Sequence, residues 1–400
     1  MSNFEEIRTR VLSAGIINTH AHHLTDEEVK DINLKRIFDR SYVSWCGVPT
    51  PSSSATVDKW LEKIGNRNFY FSLSHALQKM YSMDKPISSA VWDEYDRRVK
   101  KAHENSRWHL EILQKTCGYQ AVVQDSYWNP GSNNGHPEIF KPTFRVNPFI
   151  WSYNRKSMDH NGNNVQITFG QHIEDIKTYT DFMYRIIKAK KEEGCSSLKS
   201  AIAYERSIGA DAATAEEAQA AMGLNRDDPP EAAIRKFQDY VLDAICVIAA
   251  DLKMPLQIHT GLGIMIGSNP MQLQYLIAKH PKTVFVLMHG GYPWMDELCG
   301  LVHVYPNVVV DLCWLPLISS SAAVRFLHEL LEVCNGDKIV WGCDTWTSEE
   351  SWGALLTVAD VLATVLDEKV SAGKLSKNSA LLLADGIMRN NAKLWFCLNS

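Results

Sequence analysis

Leu256-Gln257-Ile258-His259-Thr260-Gly261, Thr283-Val284-Phe285-Val286-Leu287-Met288-His289-Gly290-Gly291, Val308-Val309-Val310 and Lys338-Ile339-Val340-Trp341 share one layout. Each is a short apolar run of strand-forming residues. Amphipathic stretches follow the first three, near Pro270 to His280, from about Trp294 to Val304 and near Ser321 to Cys334. This is the spacing of βα units. Parallel strands returned by helices must have both sheet faces covered, so a doubly wound sheet and a closed barrel are the two solutions. Four units fill half a barrel. Upstream, Ser197 to Tyr204, Thr143 to Ile150, Tyr119 to Gln124 and Gly15 to Asn18 read as further strands. Eight strands with helices between them predict an α/β chain folded as a (β/α)8 TIM-type barrel.

Two connections are too long for a plain barrel. The segment from His23 to about Gly118 has helical patterning and many aromatics, including Trp60, Phe69, Tyr70, Tyr81, Trp92 and Trp108. It is expected to form a large helical insertion after strand 1, so residues 26–117 read as a cap and residues 1–25 with 118–400 as the barrel. A polar excursion covers Asn129 to Asn164, and an Ala/Glu/Asp-rich surface segment covers Gly209 to Pro230. The cap's apolar residues suit either its own barrel or a second subunit in a homo-oligomer.

The 400 residues are 45% hydrophobic and 22% charged, which allows a large core and excludes a disordered chain. Lys and Arg number 41 against 46 Asp and Glu, a net charge of −5, and no basic stripe is present. Nucleic acid and membrane surfaces are therefore not expected partners, and a small-molecule substrate is. No signal-like segment is seen near Met1, and the expected home is the cytoplasm. Nine cysteines without a Cys-x-x-Cys pair read as reduced packing thiols, Cys195 and Cys343 included.

The chemistry-bearing residues fall at strand ends. Asn18-Thr19-His20-Ala21-His22 closes strand 1, and alternation along a strand puts both imidazoles on one face. His259 follows strand 5, His289 follows strand 6, and Asp344 follows strand 8 in Trp341-Gly342-Cys343-Asp344-Thr345. These ends converge at the C-terminal mouth of a barrel, where three histidines and an aspartate suit a divalent ion with room for water. Zinc fits best and manganese is the alternative. The remaining histidines, His109 and His136 among them, are assigned to no metal.

This pattern resembles the amidohydrolase superfamily. More narrowly, Leu198 to Arg206, His259 to Gly263 and His289 to Pro293 look like the amidohydrolase-type half of nodulin and fungal proteins fused to glutamine synthetase. The insertion, including Asp39 to Trp45 and Phe69 to Trp92, looks like the cap of uronate isomerases, and Phe144-Arg145 resembles a segment of theirs. The resemblance implies metal ligands at His20, His22, His259 and Asp344, with Asp344 also moving the proton. His289 is implied as a second-metal ligand or a polariser of the substrate carbonyl. Lys199 is either a carboxylated bridge between two ions or a lysine that contacts substrate or Asp344, so one ion is expected unless Lys199 is carboxylated.

Arg145 and Arg206 lie near strand ends, where a guanidinium can clamp a substrate carboxylate. Tyr204 and Trp346 are further substrate-binding candidates, and Trp294 and Trp314 could line the mouth. Two departures stand out. Glu205 interrupts the Tyr-Arg order of the nodulin-like group, and Thr345-Trp346-Thr347 follows Asp344 where uronate isomerases place an arginine.

The expected function is metal-dependent hydrolysis of a C–N or C–O bond, in an amide, lactone or ester of a small polar, carboxylate-bearing substrate, through activated water. A uronate-isomerase-like aldose–ketose isomerase and a metal-dependent decarboxylase are the alternatives. A binding protein without turnover is disfavoured by the intact ligand set.

Overall fold

The computed structural model describes residues 2–13, 15–127, 129–222 and 229–398. Eight parallel strands follow one another around a single sheet in sequence order: β1 (Ile16–Ala21), β2 (Tyr119–Gln124), β3 (Phe140–Arg145), β4 (Ser197–Ser200), β5 (Leu256–Ile258), β6 (Phe285–Leu287), β7 (Val308–Asp311) and β8 (Ile339–Val340). The chain beyond β8 returns to β1, with Thr19 N–H donating to Trp341 O (3.1 Å) and Asp344 N–H to His20 O (2.9 Å). These bonds close the barrel, as the βα pattern predicts.

Several strand boundaries differ from the sequence reading: β1 runs on past Asn18 to Ala21, β6 and β8 are shorter than read, and β3 and β4 change character. β3 begins upstream at Phe140 and ends at Arg145, and Asn147–Trp151 is a helix with Pro148 in its first turn. The apolar run Phe149-Ile150 suits a buried helix as well as a strand, and proline pre-set for a helix start decides it. β4 stops at Ser200, because the Ala201 amide is taken by Asn147 Oδ1 (2.7 Å) and a 3-10 turn over Ile202–Tyr204 follows. The 209–230 segment contains the helix Ala215–Met222, and its residues 223–228 lie outside the described residues.

The barrel strands are buried on both faces, and the helices around them complete one large core. The insertion has a core of its own. Phe38 stacks on Trp92 (ring centroids 5.9 Å) and meets Trp60 edge-on (5.1 Å), so its aromatics are satisfied by one another. It also leans on the barrel mouth, where Tyr42 stacks on Trp314 (4.7 Å) and contacts Trp346 (4.8 Å). Among the described residues no helix is long and apolar enough to cross a membrane.

Candidate functional site

β1 ends in a local irregularity. Asn18 pairs with Val122 and Ala21 with Gln124, so three steps on β1 face two on β2. That bulge frees Thr19 and His20 to face β8, a common device for aiming side chains at a site. Gly342 is required opposite them, since a Cβ there would lie 2.5 Å from the His20 backbone nitrogen.

His20 and His22 stand edge to face with centroids 4.7 Å apart. The Asp344 carboxylate lies between them and His289: Oδ1 is 3.0 Å from His22 Nε2 and 3.5 Å from His20 Nε2, and Oδ2 is 3.6 Å from His289 Nδ1. His259 Nδ1 lies 2.8 Å from His289 Nε2. The strand-end residues His20, His22, His259, His289 and Asp344 therefore form one buried cluster.

Tautomers follow from the outer bonds. A backbone carbonyl only accepts, so His22 Nδ1–H donates to Asp125 O (2.8 Å) and its Nε2 points at Asp344 Oδ1. His289 Nδ1–H donates to Cys313 O (3.2 Å) and His259 Nε2–H to Gly261 O (3.1 Å), which turns two lone pairs towards each other across 2.8 Å. Both ring nitrogens of His20 are buried without a hydrogen-bond partner. Inward lone pairs fixed by outer carbonyls, with unpartnered buried nitrogens, are the donor set of a divalent-metal site. The residues fit the ion.

Electrostatics point the same way. Burial drives the His20 and His259 imidazoles well below their usual range, and His289 down to about 4 against the pull of Asp344. All three are neutral at neutral pH. Burial pushes the Asp344 carboxyl up, but the His22 hydrogen bond with the His289 and His22 charges outweighs it and leaves the carboxyl below its ordinary value. The Lys199 amine is lowered by burial against the attraction of Asp125 and Asp344, and it donates to Met288 Sδ. Neutral imidazoles, a carboxylate and a desolvated amine are ligating forms.

The two arginines fare differently from their sequence reading. Arg145 forks onto Asp125, Nε to Oδ1 at 3.2 Å and Nη2 to Oδ2 at 2.5 Å, and it is 2% exposed. Its Nη1 alone lacks a partner. Arg206 binds Gln238, Gly209 O, Ser207 O and Asp239 Oδ1 (2.6 Å), which draws its guanidinium onto the helix Glu231–Asp251. Tyr204 packs on the His259 ring (4.4 Å) and is 40% exposed, while Trp346 stacks on His22 (5.5 Å). Trp314 meets His289 edge-on, and the Trp294 indole donates to Met265 O.

Four functional candidates escaped the sequence reading. Asp125 ends β2 with Oδ2 3.8 Å from His20 Nε2, and Tyr127 stacks on His22 at 4.4 Å. A strand-end position was the available signal for Asp125. Tyr42 reaches from the insertion to the Asp344 carboxylate, and both burial and that charge hold its phenol protonated. A cavity of about 180 Å³ opens beside His22 and Asp125, and Arg40 lines it from the insertion. Tyr42 and Arg40 lie within the Asp39 to Trp45 stretch, whose likeness to a known cap was their only signal.

Residues 199–384 match the family model described as Amidohydrolase. The chain is similar to the amidohydrolases over this stretch, a little under half of its length. The protein fluG of Emericella nidulans is 36% identical over 151 residues, which are 36% of this chain and 18% of that relative, so the match spans under a fifth of the relative's length. Among solved structures, uronate isomerase from Thermotoga maritima superposes with a TM-score of 0.78 at 15% identity, covering 98% of this chain and 97% of that one. Glucuronate isomerase from Caulobacter crescentus gives 0.77 at 14%, covering 100% and 94%. A Lactobacillus casei protein provisionally assigned as a metal-dependent hydrolase gives 0.68 at 16%, covering 96% of each chain. At such identities the likeness is one of fold, and the described residues include His/Asp clusters able to hold a metal ion.

Proposed function

We propose that this protein is a member of the amidohydrolase superfamily that hydrolyses a C–N or C–O bond, in an amide, lactone or ester, of a small polar substrate that carries a carboxylate. The observation that supports it is Asp344: a buried, ionised carboxylate within 3.0 Å of His22 and 3.6 Å of His289, placed to accept a proton inside the ligand cluster. A divalent ion held by His20, His22, His259 and Asp344, zinc in first place and manganese in second, supplies Lewis acidity and lowers the pKa of water.

The chain's own groups perform the remaining work. Asp344 accepts the proton of the attacking water at its carboxylate and returns it to the leaving nitrogen or oxygen. His289, neutral and anchored on Cys313 O, lies beside it to polarise the scissile carbonyl. Arg40, on the cavity wall, supplies the charge complementary to a substrate carboxylate, the role first read for Arg145 and Arg206. Tyr204 and Trp346 frame the opening over His259 and His22. Lys199, buried and lowered, serves either as a neutral amine or as a carboxylated bridge to a second ion.

A second reading is aldose–ketose isomerisation, in which Asp344 carries a proton between adjacent carbons. It is favoured by the insertion's delivery of Tyr42 to Asp344 and by full-length likeness to two uronate isomerases. The deciding experiment incubates the zinc- or manganese-loaded protein with N-acyl amino acids, lactones and uronates, beside Asp344→Asn. Release of acid with amine or alcohol, abolished in Asp344→Asn, supports hydrolysis. Ketose from uronates alone replaces it with isomerisation, and turnover undiminished in Asp344→Asn refutes both. Metal counts in Lys199→Ala separate one ion, unchanged, from two, reduced.

A further inference from the structure

Three side chains from three separate connections meet outside the central cluster. Asp26 lies on the loop after β1, His109 on the short helix Trp108–Glu111 that ends the insertion, and His136 on the loop between β2 and β3. The Nε2 atoms of His109 and His136 are 3.0 and 2.9 Å from the same oxygen, Asp26 Oδ1, and one ligand atom from each residue lies within 4.8 Å of the others. In a tetrahedral site with ligand bonds near 2.0 Å, ligand atoms are about 3.3 Å apart. A few tenths of an ångström of expansion bring both Asp26–histidine spacings to that value.

The outer contact of His136 decides the reading. Its Nδ1 lies 3.3 Å from Glu138 Oε1, an acceptor only, so Nδ1 carries the proton. In a neutral ring the Nε2 lone pair then faces the Asp26 oxygen at 2.9 Å with nothing between. A cation relieves that opposition, and carboxylate–histidine–metal is the usual outer arrangement of ligating imidazoles. An imidazolium bridging Asp26 and Glu138 fills the same geometry without metal, and the experiment below separates the two. His109 is held neutral by burial against the pull of Asp26, and Asp26 is ionised because the two histidines outweigh its modest burial. The Asp26 side chain is 58% exposed, which leaves room for water to complete the coordination.

We propose that Asp26, His109 and His136 form a second divalent-cation site, of a two-histidine, one-carboxylate type suited to zinc, cobalt or nickel. Its place in the fold gives it a task. Thr25 beside Asp26, and Ser132 and Asn134 shortly before His136, line the cavity next to His22. A bound ion ties both of those rims to the last helix of the insertion.

The test strips the full-length protein with chelator, reloads it with Co(II), and counts cobalt by elemental analysis in wild type, Asp26→Asn and His136→Asn. The difference between proteins is read, so the number of ions in the central cluster does not enter. Each variant is expected to hold one equivalent less than wild type, and Glu138→Gln to weaken the extra cobalt about tenfold. Thermal unfolding should show a cobalt-dependent rise that both variants lose. Equal cobalt in wild type and variants overturns the proposal in favour of the imidazolium bridge. If His136→Asn fails to fold, Asp26→Asn decides alone, because it is isosteric at an exposed position.

Discussion

Glu350 offers a sharp test of how the insertion is fastened to the barrel. It stands in the first turn of the helix Ser348–Ser371, three residues after its N-cap Thr347, where a capping-box glutamate would bond back to the cap. Instead Oε1 accepts from the Tyr42 amide at 2.7 Å, while Oε2 is buried without a partner. Burial is the main reason its carboxyl is pushed up to about 8, with Asp344 adding repulsion and the Tyr42 and Trp346 amides opposing. The unfolded chain, with its ordinary carboxyl, has already released this proton by pH 5.5. The folded protein binds more protons than the unfolded one from there to about pH 8, so stability falls as pH rises through that window. At about 1.4 kcal/mol per unit, the loss between pH 5.5 and 8 is roughly 3 kcal/mol. Glu350→Gln keeps the acceptor for Tyr42 and has no proton to lose. Thermal unfolding of wild type should therefore show a Tm lower by roughly 3 to 4 °C at pH 8 than at pH 5.5, over and above the change in the variant. Parallel pH profiles for the two proteins would refute the reasoning and mean that water or a cation reaches Oε2.

Three further outcomes follow from the site. Tyr42→Phe keeps the stacking on Trp314 and Phe69 but removes the hydroxyl facing Asp344, so kcat/KM should fall about tenfold with little change in Tm; an unchanged rate would detach the insertion from the chemistry. Arg206→Ala leaves buried Asp239 with Arg235 at 3.2 Å and the Asp211 amide at 3.3 Å but without its closest cation, so the protein should lose roughly 3 kcal/mol in denaturant titrations while KM holds; a raised KM at unchanged stability would restore the substrate role first read for this arginine. Gly342→Ala forces a Cβ to within 2.5 Å of the His20 nitrogen and 3.0 Å of Thr19 Oγ1, so the purified variant should lose most of its bound metal by elemental analysis; full retention would show that β1 can shift without moving His20.

The barrel was legible because each βα unit carries its own signal, a short apolar run and then an amphipathic one. The cluster was legible for the same reason: His20, His22, His259, His289 and Asp344 each follow a run recognisable alone, and barrel geometry brings such positions together. Position did not reveal partners. Arg145 and Arg206 are near strand ends as read, yet Asp125, 20 residues before Arg145, and Asp239, 33 residues after Arg206, capture their guanidinium groups. Arg40 and Tyr42 were hidden for the converse reason. Nothing local shows that a segment inside a long helical insertion folds back on the barrel mouth; that depends on how Phe38, Trp60 and Trp92 pack together beneath it.

The cluster is also costly to hold, and the surrounding bonds show how the barrel does so. His289, Trp314 and Asp344 all have φ near +60°, at 64°, 63° and 60°, a region that costs a non-glycine residue about 1 to 2 kcal/mol. All three sit at the ends of neighbouring strands β6, β7 and β8. One buried acid fastens this region: Asp311 Oδ1 accepts from the Cys313 and Gly342 amides at 2.9 and 3.1 Å, and Oδ2 accepts from the Thr19 hydroxyl at 2.6 Å. Those bonds fix the turn after β7, the approach of β8, and β1 one residue before His20. The same turn presents Cys313 O to His289 Nδ1. Burial still pushes the Asp311 carboxyl up to about 6 despite its donors. Strained residues therefore lie where ligands must point inward, and satisfied polar groups lie one shell behind them. That division is what a metal site requires of the fold carrying it.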